Sequence, residues 1–326
     1  MISKCSKLEN SISSTENMDN LFKRATFDNS AAEKTGYSNY SYWASTWKVF
    51  VKNKVAMFFM VILITLLLFT FIQPFLPGQK SPTTIYTDPQ TEIQLRNLEP
   101  NSEFWFGTNT IGQDLWSRIW SGTRTSMLIG LAVGIWDAVI GIIVGSLWGY
   151  VRSLDPFITQ VYNVLNNIPS SIILILVSYI LKPSVTTIIF AMCLTGWLPT
   201  ARFVRNQVVI IRDREFNLAS RCLGTPTKRV ITKNLLPQLV SVIMMRIALA
   251  IPAAIGHEVF LTYIGLGLPV STPSLGNLVN EGRMVMMSPS LRYQLIFPAA
   301  VLSLITVSFY IMGNSFADAA DPKNHI

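Results

Sequence analysis

Four ionisable side chains stand inside long apolar runs of this sequence, where a charge is unfavourable. They are Asp137, Arg246 and the adjacent pair His257 and Glu258. A charge at the centre of a bilayer costs roughly 2.5–3.5 kcal/mol or more, so each of them needs a partner or has a function. Asp137 and Arg246 are candidates for an ion pair with each other, a structural clamp rather than a proton relay. His257 and Glu258 do not form a metalloprotease motif, because no second histidine follows Glu258 by three residues.

Other chemical motifs are absent from the sequence. There are two histidines and three widely spaced cysteines without a C-x-x-C pair, which excludes a zinc knuckle and a His-rich metal site. No G-x-x-x-x-G-K-[S/T] phosphate loop occurs, so the chain cannot hold ATP by that route. Energy for active work must then come from a partner or from an ion gradient. An intramembrane enzyme is disfavoured, because neither a Gly-x-Ser-x-Gly elbow nor paired aspartates in facing spans is present.

The composition places these side chains in a membrane protein. Of the 326 residues, 50% are hydrophobic and 13% are charged, against about 25% charged in an ordinary soluble domain. The formal net charge of +8 is better explained by the positive-inside rule than by nucleic-acid binding. The predicted fold class is all-α, a polytopic membrane protein.

Six segments are apolar enough to span a bilayer, which takes about 20 residues each. The clearest run from Val55 to Leu76, from Thr125 to Tyr150 and from Leu295 to Phe316. The other three are predicted near residues 157–181, 185–203 and 237–261. We therefore expect a cytoplasmic tail with an interfacial helix at residues 1–50, an anchor and external segment at 51–104, and a five-helix core at 105–326.

Basic residues indicate the orientation of these spans. The N-terminal tail holds eight lysines and arginines up to Lys54, and residues 202–233 hold another eight. With six spans, the two basic segments fall on one side, as the positive-inside rule requires for the cytoplasm. Both termini are thus predicted to be cytoplasmic. The first span lacks the features of a signal peptide and is predicted to be an uncleaved anchor, with an amphipathic interfacial helix before it at residues 39–51.

Small residues within the spans predict where helices pack closely, and polar residues there predict where a solute could pass. Glycines at four-residue spacing within residues 130–149 favour close helix packing. Asn163, Asn166, Asn167 and Ser170 are candidates to line a polar path that suits a peptide backbone, which offers donors and acceptors but no fixed side chain. Interhelical hydrogen bonding is an equally good interpretation of these four residues.

A basic loop of about residues 212–236, the docking loop, lies between spans four and five. Residues 213–223 are good helix formers, and Gly224 stands where a helix would stop. Thr225 and Pro226 predict the start of a second short helix, with proline at its first position. Two short helices joined at a glycine would form a compact knob on the membrane face. Binding of anionic lipid headgroups by a solvated basic loop is the alternative that composition alone leaves open.

The docking loop resembles the coupling-helix region of ATP-binding-cassette (ABC) importer permeases. The family pattern is Glu-Ala-Ala, three residues, Gly, nine residues, Ile, one residue and Leu-Pro. Ala219-Ser220, Gly224 and Leu236-Pro237 keep that spacing. Leu218 stands in place of the Glu, and Asn234 stands in place of the Ile.

Further matches keep their order over roughly residues 104–322 and resemble the oligopeptide and dipeptide permease family. They comprise Phe106-Gly107-Thr108, Gly112-Gln113-Asp114-Leu115, Gly265-Leu266-Gly267, Pro273-Ser274-Leu275-Gly276 and Asp321-Pro322. The string from Asn217 to Thr227 is most similar to the C-type oligopeptide permease of Gram-positive bacteria. Asn109 and Gln113 depart from the commonest pattern, which has Asp and Arg there.

The resemblance implies a type I ABC importer permease fold and the import of oligopeptides by alternating access. It implies four kinds of partner: a second homologous permease, two cytoplasmic ATP-binding subunits, an external lipid-anchored substrate-binding protein and membrane lipid, with no nucleic acid. ATP and Mg²⁺ would be bound by the ATPases, and this chain would hold no cofactor or metal. The implied location is the cytoplasmic membrane of a bacterium.

The resemblance also suggests roles for individual residues. ATPase coupling falls on a set in the docking loop: Glu215, Asn217, Leu218, Ala219, Ser220, Gly224, Thr225, Pro226 and Pro237. Gly224 is expected to let two backbones approach closely. Glu258, Gly265 and Gly267 are expected to form an outer gate.

Two other functions remain as alternatives to oligopeptide import. Permeases for nickel or another small solute share the same scaffold. A proton-driven secondary transporter that uses Asp137 and Glu258 belongs to a different class. The spacing of the docking loop and the lack of two inverted halves favour the ABC permease.

Overall fold

Helices dominate the computed structural model, which describes residues 42–182 and 184–320. Most of the predicted basic tail and the Asp321-Pro322 match lie outside the described residues. In chain order the helices are α1 Tyr42–Lys52, α2 Lys54–Ile72, α3 Leu115–Tyr150, α4 Asp155–Asn166, α5 Ser170–Ile180, α6 Val185–Thr195, α7 Trp197–Arg212, α8 Glu215–Cys222, α9 Val240–Tyr263, α10 Leu275–Val285 and α11 Tyr293–Ala320. Short helical turns at Gln73–Phe75 and Pro289–Leu291 extend α2 and precede α11.

Five helical segments are long and apolar enough to cross a membrane. They are Lys54–Phe75, Leu115–Tyr150, Val185–Arg212, Ile243–Tyr263 and Pro289–Ala320. The pair α4 and α5 adds a sixth crossing if the two helices form one span. The described chain therefore matches the predicted number of spans, with the third span as the special case.

The predicted third span is not one continuous helix, which corrects the expectation from hydropathy. α4 and α5 meet at an angle of 69°, and Pro169 precedes the first residue of α5. Proline has no backbone N–H and disfavours helical geometry in the residue before it, so the helix breaks there. Apolar content alone predicted the length of this segment and not its bend.

The second span begins ten residues before the predicted position. Asp114 caps α3, and its carboxylate accepts a hydrogen bond of 2.9 Å from the Ser117 N–H. A capped helix of 36 residues is about 54 Å long at 1.5 Å per residue. α3 is therefore longer than the hydrocarbon core of a bilayer is thick. Its N-terminal turns extend beyond the predicted span.

α3 is the centre of the bundle, and its glycines allow its neighbours to approach closely. A Cβ atom on Gly145 would lie 2.8 Å from the Val204 Cβ atom, so only glycine fits this crossing with α7. Gly134 faces Ile251 of α9 in the same way, with 2.9 Å from the added atom to Cγ1. The prediction of close packing through small residues is confirmed.

α11 and α2 complete an apolar cluster that α9 shares with α3. Ile251 and Ile255 share an apolar cluster with Leu63 of α2 and with Ile305 and Phe309 of α11. α1 packs through Phe50 against Phe316, with 5.6 Å between ring centroids, while Trp47 is exposed. Phe50 therefore anchors α1 to α11, and the exposed Trp47 ring stacks on it, with 5.7 Å between ring centroids.

Residues 76–114, the connecting segment, form an irregular layer between α2 and α3. Two isolated β-bridges join Thr87 to Gln94 and Thr108 to Asp114. The hydroxyl of Tyr293 lies 2.7 Å from the Leu98 carbonyl oxygen and 2.8 Å from the Thr108 carbonyl oxygen. These contacts hold the segment against the start of α11.

Candidate functional site

The docking loop begins with α8, and its geometry depends on how that helix ends. The Gly224 N–H donates to the Arg221 carbonyl at 2.9 Å, and the Thr225 N–H donates to the Ser220 carbonyl at 3.1 Å. These two bonds form a Schellman motif, which requires a left-handed residue after the helix. Gly224 provides it with φ of +75°, so the predicted helix stop is at the predicted residue.

The structure gives a conformational reason for glycine at position 224. Apart from its two chain neighbours, no described residue has an atom within 4 Å of a Cβ built on Gly224, so close packing within the described chain does not require glycine. The positive φ does, because an L side chain in that conformation costs roughly 1–2 kcal/mol. Gly224 therefore sets the direction of the chain after α8.

The second predicted helix is shorter and less regular than expected. Pro226 stands one position before a single turn at Thr227–Arg229, rather than at its first residue. A π-helical stretch, Val230–Leu235, and a 3-10 turn, Leu236–Leu239, carry the chain into α9. Pro237 lies within that last turn, where its missing N–H is tolerated.

Three polar side chains connect α8 to the π-helical stretch. The Asn217 side chain is fully buried and donates from Nδ2 to the Ile211 carbonyl at 2.9 Å. Asn234 donates to the Asn217 Oδ1 atom at 3.3 Å and to the Ser220 Oγ atom at 3.1 Å. Asn234, one of the two departures from the family pattern, thus supplies the donor that satisfies Asn217.

Apolar contacts anchor the docking loop and leave its tip exposed. Val230 and Leu235 are buried in a cluster with Val204 and Val208 of α7. Leu223, just before Gly224, is 86% exposed. Phe216 and Leu218 of α8 are also exposed. An apolar tip on a rigid, internally bonded loop is typical of a surface that a partner covers.

Charged groups fasten the base of the docking loop to the neighbouring helices. Asp213 contacts the Arg152 guanidinium at 3.0 Å and the Arg212 Nε atom at 3.3 Å. Slight burial acts to raise the pKa of Asp213, but Arg212 and Arg152 outweigh it and hold that pKa below its usual value. Deeper in the bundle, Arg205 of α7 bonds both carboxylate oxygens of Asp155 at 2.9 and 3.0 Å.

A cavity of about 300 Å³ lies among α3, α5, α6, α7 and α9. Asp137, Arg246, His257 and Ser170 line it. Although Asp137 and Arg246 reach the same cavity, they form no ion pair within 4.0 Å among the described residues, so the predicted clamp is not formed. The Arg246 guanidinium instead lies over the Phe203 ring, 4.3 Å from its centroid.

Of the four residues of the predicted polar path, Ser170 lines this cavity. Asn163, Asn166 and Asn167 are exposed on the surface of the chain, and Asn166 accepts a bond of 3.0 Å from the Tyr162 hydroxyl. The three asparagines therefore lie outside this cavity, on a face that no other part of the described chain covers.

At the end of α9 remote from the docking loop, Glu258 is fully buried and bonded to hydroxyl groups. Ser274 and Thr262 donate to its Oε1 atom at 2.7 and 3.2 Å, and Ser126 donates to Oε2 at 3.3 Å. Ser274 also caps α10 by accepting from the Asn277 N–H at 3.0 Å. Glu258 therefore joins α3, α9 and the start of α10.

The loop between α9 and α10 turns at the two glycines of the predicted gate. Gly265 has φ of +81° with open space around it. Gly267 packs against Thr262, so closely that a Cβ would clash with the threonine backbone and side chain. Asn277 donates to three carbonyls of the loop, those of Leu268, Pro269 and Thr272. The predicted gate residues thus lie in a tightly bonded cap.

A network of polar and charged side chains around the buried Arg118 was not predicted from the sequence. Arg118 has no exposed surface and contacts the Glu281 carboxylate of α10 at 2.8 Å. Arg118 also bonds Gln113, and Asn109 donates to the Gln113 Oε1 atom at 3.1 Å and to Glu281 at 3.3 Å. Nothing local to Arg118 or to Glu281 in the sequence identified the two as partners, since 163 residues separate them. This network ties the connecting segment to α10.

Comparison with known proteins identifies the fold and the relatives. Residues 138–325 match the family model described as "binding-protein-dependent transport system inner membrane component". Residues 41–100 match the N-terminal transmembrane domain of oligopeptide transport permease C. A solved structure of a methionine ABC transporter in inward-facing conformations covers 63% of this chain and 96% of its own, with a TM-score of 0.50 and 18% identity.

Curated relatives match over nearly their full length. The oligopeptide transport system permease protein AmiD of Streptococcus pneumoniae is 38% identical, over 91% of this chain and 95% of the relative. The dipeptide transport system permease protein DppC of Bacillus subtilis is 36% identical, over 90% of each chain. The oligopeptide transport system permease protein OppC of the same organism is 33% identical, over 93% of this chain and 97% of the relative.

Proposed function

Because this chain belongs to the family of binding-protein-dependent transport system inner membrane components, we propose that it is the permease subunit through which an ATP-driven importer moves oligopeptides. The observation that carries the substrate class is the likeness, over nearly the full length, to permeases named for oligopeptides and dipeptides. The chain is a multi-pass membrane protein and a transport subunit, and ATP hydrolysis belongs to separate subunits.

The proposed partners are those of a complete importer. A second, homologous permease would cover the exposed face of α4 and α5. Two cytoplasmic ATPases would bind ATP and Mg²⁺, and an external lipid-anchored protein would deliver the peptide. In this proposal the docking loop and both termini lie in the cytoplasm of a bacterium, and the positive-inside rule applied to the two basic segments supports that orientation.

Coupling would pass through the docking loop. Asn217 fixes α8 to α7, and the apolar cluster that includes Val208 and Val230 fixes the π-helical stretch to α7. An ATPase that binds the exposed Leu223 would therefore move α7 and α9 together, because hydrogen bonds and apolar contacts hold the loop against both helices. Closing of the two ATPases would open the cavity to the outside, and ATP hydrolysis would return it to the cytoplasm.

The substrate class is tested by uptake of labelled hexapeptides in cells with and without the gene, with nickel uptake measured in parallel. Loss of peptide uptake that the wild-type gene restores supports the proposal. Loss of nickel uptake alone would favour the alternative function, a permease for nickel or another small solute. Peptide uptake that persists after dissipation of the proton gradient but stops on ATP depletion would distinguish the importer from a proton-driven transporter.

The coupling role is tested by Leu223→Glu, a change at an exposed position that leaves internal packing intact. We expect less ATPase to co-purify with the permease and peptide uptake to fall about tenfold or more, as for loss of an apolar anchor in an interface. Met287→Glu adds the same charge at a position that is 83% exposed and remote from the docking loop. It should retain the ATPases. Equal ATPase recovery from both variants would refute the role of Leu223.

A further inference from the structure

The cavity among α3, α5, α6, α7 and α9 contains a carboxylate, that of Asp137, with no hydrogen-bond or ion-pair partner among the described residues. Asp137 is 7% exposed, and its Oδ1 atom is buried without a hydrogen-bond donor. Gly196 lies directly against this carboxylate, since a Cβ there would be 2.6 Å from Oδ1. A buried carboxylate without donors is unfavourable, so a donor supplied by a bound solute would stabilise it.

The nearest candidates within the chain do not supply that donor. Arg246 shares the cavity, but its guanidinium lies over the Phe203 ring, and its Nε atom is buried without an acceptor. Hydroxyl groups on the wall come from Ser170, Thr195 and Thr200, and none of them bonds Asp137 within the described residues. The cavity therefore presents an anionic and a cationic group that are both available to a solute.

We propose that Asp137 binds the α-ammonium group of the transported peptide, an inference that rests on the proposed function. Peptides of every sequence carry this group, so a fixed carboxylate recognises them without selecting side chains. An ammonium group offers three N–H donors, enough to satisfy Oδ1 and to reach a neighbouring hydroxyl. Arg246 on the same wall suits the carbonyl oxygens that follow the N-terminus.

The size of the cavity supports binding of one end of the peptide. A volume of about 300 Å³ is at the lower limit of pockets that enclose small ligands. It accommodates a terminal residue and not a whole oligopeptide. The remainder of the chain would extend towards the surface that the second permease covers.

The test measures peptide binding to the purified complex of both permeases and both ATPases in nanodiscs, without the external binding protein. The probes are labelled Ala-Ala-Ala with a free N-terminus and the same peptide with an acetylated N-terminus. We expect the free peptide to bind the wild-type complex about tenfold or more tightly than the acetylated one, the effect of one charge-assisted bond. Asp137→Asn should abolish this difference by weakening the free peptide only, and Asp137→Glu should keep part of it.

Asp114→Asn is the matched control, because it also converts a buried carboxylate to its amide, keeps the cap of α3 and does not line the cavity. It should keep the preference for the free peptide. Equal binding of the two peptides to the wild type, or no detectable binding at millimolar peptide, would overturn the proposal even if Asp137→Asn failed to assemble. A preference that persists in Asp137→Asn would also overturn it.

Uptake by the complete wild-type transporter separates this inference from the proposed function. If liposomes with the external binding protein import the free peptide while the nanodisc preference is absent, only the role of Asp137 fails. If the same liposomes import no peptide, the proposed substrate class fails as well.

Discussion

Asp137 and Glu258 are both acidic residues buried in membrane-spanning helices, and their surroundings are opposite. Glu258 accepts hydrogen bonds from three hydroxyl groups on three parts of the chain. Asp137 faces a cavity, and no described residue donates a hydrogen bond to its Oδ1 atom. The comparison shows that an intramembrane acid is not by itself a functional signal. Its hydrogen-bond partners decide whether it holds the fold together or remains available to a solute.

The largest expected effect is that of Glu258→Leu on stability. The change leaves the hydroxyls of Ser126, Thr262 and Ser274 without their acceptor in a buried site. We expect a loss of about 3 kcal/mol or more in stability, seen as a lower thermal unfolding midpoint of the purified complex in detergent. An unchanged midpoint would mean that Glu258 is not the anchor of α10, and the contrast with Asp137 would disappear.

Asp137→Asn should act on stability in the opposite direction. Removing a buried charge without partners relieves a desolvation penalty, so the unfolding midpoint of the peptide-free complex should stay the same or rise, by up to about 1–2 kcal/mol in free energy. The measurement is the same thermal scan. A clear fall in the midpoint would show that Asp137 has a structural partner and that the two acids are alike.

The next prediction concerns Gly224 in the docking loop, whose role depends on backbone conformation and not on charge. Gly224→Val should lose roughly 1–2 kcal/mol of local stability because of its positive φ, and should uncouple ATP hydrolysis from peptide uptake. Gly224→Asn is the matched control, since asparagine tolerates the left-handed region. Coupling is measured as peptide imported per ATP hydrolysed. Two variants with equal coupling would show that the conformation at position 224 is not what matters.

The smallest expected effect is that of Asp213→Asn, an acid that is exposed and paired. The arginines hold its pKa below the usual value, so the ion pairs stabilise the chain at neutral pH and are lost as pH falls through the lowered pKa. The variant should lose about 0.2–1 kcal/mol at pH 7, and this loss should shrink as the pH is lowered through the acid range towards the lowered pKa. Thermal scans at pH 7 and at a series of acidic pH values test this, and a loss that is independent of pH would exclude the ion pairs as its cause.

Features that depend on residues close together in the sequence could be predicted from it, whereas features that depend on distant residues could not. Apolar runs predicted α2, most of α3 and α11, because the length that spans a bilayer is a local property. The stop of α8 at Gly224 was also predicted, since a helix end depends on a few adjacent residues. The bend at Pro169 carried a local signal, but hydropathy averaged it into a single span.

Partner assignments depended on the fold instead. Ser126 precedes Glu258 by 132 residues, and Arg118 precedes Glu281 by 163, so no spacing rule connects them. The sequence offered Asp137 and Arg246 as candidates for an ion pair, but among the described residues they form none, and the Arg246 guanidinium lies over the Phe203 ring.

The sequence by itself determined that the chain crosses a membrane repeatedly, where its docking loop lies and which family it resembles, because hydropathy, charge and motif spacing are read along the chain. Only the tertiary structure decided which buried charges are satisfied. Hydrogen bonds form over about 3 Å between side chains that folding brings together, and their partners come from distant helices.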